Sequence, residues 1–177
     1  MMTMDGLDAA LPHILSAPKD NVAIDILCTR PSFGKREYPE HIEVSPEGGI
    51  KDERWLKHPW SRLEDGSPNP RIQVSILPKR VFELVVQDRL HPGDTIIADI
   101  DTSAENLAVG QQLQIGSAVV EVTDLFNDAC VKWKVRYGAD AKDWIVKPEN
   151  IDLRLRGVLC KITQAGIINK TDRIQKL

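Results

Sequence analysis

Apolar residues in this chain fall mostly in short runs, often at alternate positions, between breaks rich in Pro, Gly, Asn and Asp. That pattern predicts many short strands and few helices. Residues 22–28 (VAIDILC) are rich in branched apolar side chains and read as a first strand. A second, short one spans 41–44 and is closed by Pro46 and Gly48-Gly49. Residues 71–77 (RIQVSIL) alternate as a half-buried strand does, and Pro78 then fits the first turn of a helix. Val81, Phe82, Leu84, Val85 and Val86 give that helix a broad apolar face. Residues 95–100 (TIIADI) form another strand, and 113–115 pair with 118–123 across a Gly116-Ser117 connection. The run 153–163 (LRLRGVLCKIT) reads as a strand interrupted by Gly157, where a bulge or close backbone approach is expected. Arg154 and Arg156 then share one face of it. A last β segment covers 166–174, with a turn near Asn169. A short helix around Pro12, over residues 8–15, is the other helical signal.

Two stretches stand apart. Residues 29–36 (TRPSFGKR) hold three cations among Pro and Gly, a composition suited either to gripping an anion or to an ordinary solvated loop. Residues 56–70 contain Pro59, Gly66, Pro68 and Pro70 and read as one extended loop. After Cys130, period 2 places Cys130, Lys132, Lys134 and Arg136 on one face, whereas period 3.6 groups Cys130, Trp133, Lys134 and Tyr137. Periodicity leaves helix and strand both open there.

Length and charge narrow the classes. The chain has 177 residues, of which 42% are apolar and 28% charged, which suits one soluble domain. We expect an N-terminal extension over 1–21 and a single domain over 22–177. With 23 basic and 26 acidic residues the net charge is −3, which argues against general nucleic-acid binding. No apolar run reaches the ~20 residues of a membrane span, and the N-terminus lacks a signal-peptide pattern, so a cytoplasmic protein without a membrane partner is expected. Cys28, Cys130 and Cys160 lie far apart with no CxxC pair, so reduced thiols are expected. Cys28 and Cys160 fall inside apolar runs and are expected in the core. Cys130 follows a polar break and precedes three alternating cations; cationic surroundings favour the thiolate that attacks electrophiles or binds metal. Free cysteine is also a common core filler.

Taken together, these pieces resemble the MOSC domain, the family named for the C-terminal domain of molybdenum-cofactor sulfurase. The resemblance is carried by Gly48-Gly49-Ile50 with Arg54-Trp55, by Glu105-Asn106-Leu107, and by the run VGQQLQIGSAVVEV starting at Val109. Cys130 with Lys132, then Arg136-Tyr137-Gly138, Arg156-Gly157, and Gly166 with Asp172 complete it. The matched pieces span roughly residues 22–177, as in the compact, stand-alone members. The family implies a mainly β (α+β) fold, a β-barrel with a few small flanking helices, and a helix starting at Cys130.

It also implies that Cys130 carries the chemistry, as a persulfide sulfur carrier or as a ligand to molybdenum of a molybdopterin cofactor, with Lys132 beside it. Arg30, Arg36, Arg54, Arg154 and Arg156 are the candidate partners of the cofactor's phosphate, and Glu105 and Asn106 those that fix a loop lining the site. Such a protein is expected to act as a reductase of N-hydroxylated compounds or as a sulfur transferase. Its partners would be a small-molecule cofactor or substrate and a sulfur-donor or redox protein. The chain departs from the family pattern in having Asp52-Glu53 after the early Gly-Ile, no His-Gly-Gly stretch, and Ala129 before the cysteine. Those departures motivate the alternative of a non-catalytic module that binds an anion or a partner on the same barrel.

Overall fold

The computed structural model describes residues 1–177. Its centre is a closed barrel of seven strands. These are β1 (Val22–Leu27), β4 (Val74–Pro78), β5 (Ile96–Ala98), β6 (Gln112–Ile115), β7 (Ala118–Val122), β8 (Val158–Gln164) and β10 (Arg173–Lys176). Their order is β1-β10-β6-β7-β8-β4-β5, closed by β5 pairing with β1. A three-stranded sheet, β3-β2-β9, packs beside it, built from β2 (His41–Ser45), β3 (Gly49–Ile50) and β9 (Gly166–Asn169). The mainly β character expected from the patterning, and the barrel that the resemblance implies, are both observed.

All barrel pairs are antiparallel except β4 and β5, which run parallel with Ile76 opposite Ile96. A parallel pair needs a crossover, and here it carries a short helix, α3 (Lys79–Val81), that continues as a π-helical turn over Phe82–Val86. Side chains alternate across a strand, and on β4 and β5 both faces are apolar. Ile76, Ile96 and Ala98 point into the barrel with Val120, Val158 and Cys160. Leu77 and Ile97 point outward into a second core. That core is made by α1 (Met4–Ala9), α2 (Leu11–Leu15), α4 (Val131–Tyr137) and α5 (Ala139–Ile145), through Leu7, Ile14, Trp133, Tyr137 and Trp144.

The N-terminal extension is therefore docked. Leu7 is fully buried, the Met4 N–H donates to the Asp140 carboxylate at 3.0 Å, and Lys147 pairs with Asp8 at 2.8 Å. No helix is long and apolar enough to cross a membrane.

Several boundaries differ from the sequence pattern, each for a local reason. Pro70 starts a 3-10 turn, Pro70–Ile72, capped by the Asn69 side chain, so the expected strand over 71–77 begins only at Val74. The expected strand over 153–163 begins at Val158, because 3-10 helix Pro148–Leu153 ends in a left-handed Arg154. Arg154 and Arg156 thus lie in a turn and do not share a strand face. Gly157 has φ +82°, and a Cβ there would sit 2.0 Å from the Ile76 carbonyl oxygen, the close backbone approach its position in the sequence foretold.

Candidate functional site

The segment around Cys130 is set by two aromatic anchors. Trp133 and Tyr137, four residues apart on α4, are buried with their rings edge-to-face at 4.6 Å. Trp133 Nε1 donates to the Ala141 carbonyl at 3.3 Å, and the Tyr137 hydroxyl donates to the Leu90 carbonyl. Burying this stripe at helical spacing resolves the ambiguity in favour of helix. Cys130 caps the helix N-terminus and is exposed, following Ala129, a buried residue held at φ 57°. Arg156 lines the same cleft as Cys130. Its carbonyl accepts from Asn127 Nδ2 at 3.2 Å, and its guanidinium lies 4.4 Å from the Trp133 ring centre.

Cys130 opens onto a cleft of about 440 Å³. The loop that carries Arg30, Phe33, Lys35 and Arg36 forms one wall, α4 another, and Asp94 and Arg156 lie at its base. Arg54, Lys132 and Arg136 add further positive charge.

The cations are not equivalent. Arg30 is bound to the buried Glu53 carboxylate through its backbone N–H, Nε and Nη2, at 3.1, 2.9 and 3.3 Å. Arg156 is paired with buried Asp94 at 2.8 Å. Arg36 has no acid: its guanidinium donates to the carbonyls of His91, Gly34 and Pro92, so its charge is oriented but uncompensated. Arg54 lies 4.5 Å from the Phe33 ring centre, and Lys132 Nζ 5.8 Å from the same ring. A low-dielectric base under guanidiniums of unbalanced charge focuses field on whatever enters.

Asp94 belongs to this base, and the buried His91 precedes it in the same turn. Burial pushes the Asp94 carboxyl up, but the charge and hydrogen bond of Arg156 outweigh it and hold the group below its ordinary value of 3.8. His91 is pushed down to about 4 by burial and is neutral at pH 7. Its Nδ1 accepts from the Gly93 N–H at 3.0 Å, which assigns the proton to Nε2. His91 Nε2, Asp94 Oδ2 and Arg156 Nε are buried without hydrogen-bond partners.

The structure brings Arg30, Arg36, Arg54, Cys130, Lys132 and Arg156 together at one cleft. It places three other candidates elsewhere. Arg154 Nη1 donates to the Leu107 carbonyl at 2.5 Å, away from the cleft. Glu105 pairs at 3.5 Å with Lys19 on the surface. Asn106 Nδ2 donates to the carbonyls of Lys19 and Asp101, and its Oδ1 accepts from Lys176 Nζ. Asn106 thus ties Lys19 and Lys176 of β10 to the loop after β5, and neither Glu105 nor Asn106 lines the cleft. Sequence reading passed over Asp94 and Trp60. Asp94 sits in an ordinary-looking polar turn, HPGDT, and its partner Arg156 is 62 residues away, so no local signal marks it.

The thiols separate cleanly. Cys28 and Cys160 are buried, and burial pushes them up to about 11 and about 12. Iodoacetamide at pH 8 is therefore expected to modify Cys130 alone in the native protein and all three thiols in urea, read by intact-mass spectrometry. Equal labelling of Cys28 or Cys160 in native protein would contradict this arrangement.

No protein-family model and no curated protein sequence matches the chain. Solved structures do match. One described as a hypothetical protein superposes with TM-score 0.60 at 14% identity, over 88% of this chain and 68% of its own. The YuaD protein from Bacillus subtilis gives 0.58 at 15%, over 87% and 94%. YiiM from Escherichia coli gives 0.58 at 12%, over 89% and 69%. At such identities the likeness is one of fold, and the chain has the barrel fold of the YuaD and YiiM structures.

Proposed function

We propose that the chain is a MOSC-type protein that handles sulfur or a molybdenum–pterin cofactor in this cleft, with Cys130 as persulfide carrier or metal ligand. The reading rests on one observation: the only exposed thiol opens onto a cleft whose guanidinium and ammonium groups outnumber its carboxylates. The fold shared with YiiM and YuaD supports it.

The residues present fit the group. No cluster of three or more His, Cys, Asp or Glu side chains is placed to hold a bare metal ion, so a metal reaching Cys130 would arrive with its own ligands, as a pterin dithiolene provides. A thiolate is a soft ligand suited to it. Arg36 and Arg54, which lack acid partners, would hold the terminal phosphate by charge-assisted hydrogen bonds. Lys132 would balance charge beside the thiolate. When bound, such a cofactor supplies two-electron redox chemistry suited to reducing N-hydroxylated compounds. As a sulfur carrier, the Cys130 thiolate would attack the outer sulfur of a donor persulfide, forming Cys130–S–SH and releasing the donor thiolate. A second reading, a non-catalytic anion-binding module, is favoured by Arg36, whose guanidinium is oriented by carbonyls independently of the thiol.

The deciding measurement is metal and pterin content by mass spectrometry. Wild type and Cys130→Ser would each be made in a host that synthesises the cofactor. Molybdenum and pterin in wild type, reduced tenfold or more in the variant, are expected for a thiolate-ligated cofactor. A mass gain of one sulfur atom on Cys130 without molybdenum identifies the carrier. Equal anion retention in both proteins, with neither metal nor persulfide, leaves the binding module.

A further inference from the structure

The mouth of the cleft carries an unusual amount of uncovered apolar surface. Trp60, Phe33 and Val131 line it and are 60%, 68% and 74% exposed, and Val135, one helical turn beyond Val131, is 73% exposed. Single exposed apolar residues are ordinary, but a group around one opening marks an interaction site. Trp and Phe are also among the aromatic residues enriched where protein partners bind.

Charge on this rim is mostly positive. Helix α4 carries Lys132, Lys134 and Arg136 and no acidic residue. Across the mouth Lys35, 3.8 Å from the exposed Glu37, and Arg54 line the cleft, and Asp128 is the one exposed acid among the lining residues. The whole protein is net −3, so this basic rim is a local feature set against the overall balance.

We infer that the rim of Trp60, Phe33, Val131 and Val135, with the cations of α4, docks a protein partner whose contact surface is apolar at its centre and acidic around it. Complementary charge steers such a partner, and the apolar centre holds it. A bilayer fits less well, because the apolar side chains surround a cavity rather than crown a protruding edge. The exposed face of α4 is also only about 10 Å long at 1.5 Å per residue. The partner would cover Cys130, which deepens the reading above by naming who meets the thiol, but the inference rests on the surface alone.

The test is accordingly run on Cys130→Ser protein, so that failure of the thiol chemistry cannot decide it. Val135→p-benzoylphenylalanine is irradiated in the cells that naturally make the protein. The cross-linked species is identified, purified and titrated calorimetrically against the Cys130→Ser protein. An acidic protein is expected, with Kd weakening about tenfold or more when salt shortens the screening length from ~10 Å to ~3 Å. Lys134→Glu and Val135→Asp are each expected to weaken binding about tenfold with unchanged circular dichroism. Four results overturn the proposal: no cross-link, cross-links only to a second copy of the chain, equal binding by both variants, or recruitment to phosphatidylglycerol vesicles with no protein captured.

Discussion

Gly157→Ala is expected to lower the thermal midpoint by about 10 °C, more than other single-methyl additions to this protein. The added carbon would lie 2.0 Å from the Ile76 carbonyl oxygen and 2.9 Å from Leu77 Cα, both backbone atoms of β4. Side chains can rotate away from an intruder, but this strand is paired on both edges, with β5 and with β8. The left-handed φ of +82° adds strain of about 1–2 kcal/mol for any residue with a Cβ. Overpacking adds about 1–3 kcal/mol more, together a large share of a domain's ~5–15 kcal/mol. Gly34→Ala and Gly66→Ala are the controls: both have positive φ, but a Cβ there meets nothing within 4 Å. Calorimetry or circular dichroism that found Gly157→Ala no worse than these two would show that steric closeness to β4 is unimportant.

Asp94→Ala is the second large effect, with an expected loss of about 3 kcal/mol in urea unfolding. Removing the carboxylate strands the Arg156 side chain, 11% exposed, without a counter-ion at the base of a cleft already holding Arg30 and Arg36. Breaking one partner of a buried pair costs more than replacing both, so Asp94→Ala with Arg156→Met is expected to recover part of the loss. The pH dependence has a defined sign. The native pKa of Asp94 lies below its ordinary 3.8, so its contribution is fully present above that value and is lost as pH falls through the lower native one. Asp94→Ala should therefore flatten the acid limb of the stability profile. A loss below about 1 kcal/mol would mean that Arg156 finds water or another acceptor when Asp94 is gone.

Both sites show why the barrel could be read from sequence more easily than the cleft. The β6–β7 pair is local: alternating apolar residues flank Gly116-Ser117, and the observed register places Ile115 opposite Ala118. Gly157 was also marked, because a glycine within an apolar run is costly unless space demands it. Helix α4 was not marked by periodicity, since seven residues fit two periods equally, although the resemblance implied it; packing of Trp133 and Tyr137 against the second core selects the helix. Nor was α5, whose buried Ala141, Trp144 and Ile145 gain their meaning from α1 and α4. In the cleft, Arg30, Arg36 and Arg54 could be nominated by type, but not ranked. Their difference lies in Glu53 beside Arg30, the carbonyls of residues 91 and 92 at Arg36, and the Phe33 ring under Arg54, partners set by tertiary structure. Arg154 and Arg156, equal in sequence, part because Arg154 itself is left-handed.

The closure of the barrel through β10 also sets a timetable for synthesis. β1 pairs with β10, and Arg173 bonds Asn21 across 152 residues of chain. At ~5–20 residues per second a ribosome needs roughly 8–30 s to bridge that interval. Through that interval the β10-facing edge of β1 has no partner, and the corresponding edge of β6 lacks one from its own synthesis until β10 emerges. These edges offer other chains a template until the final strand arrives. The protein's vulnerable period is thus in its making, and a slow translation rate would lengthen it.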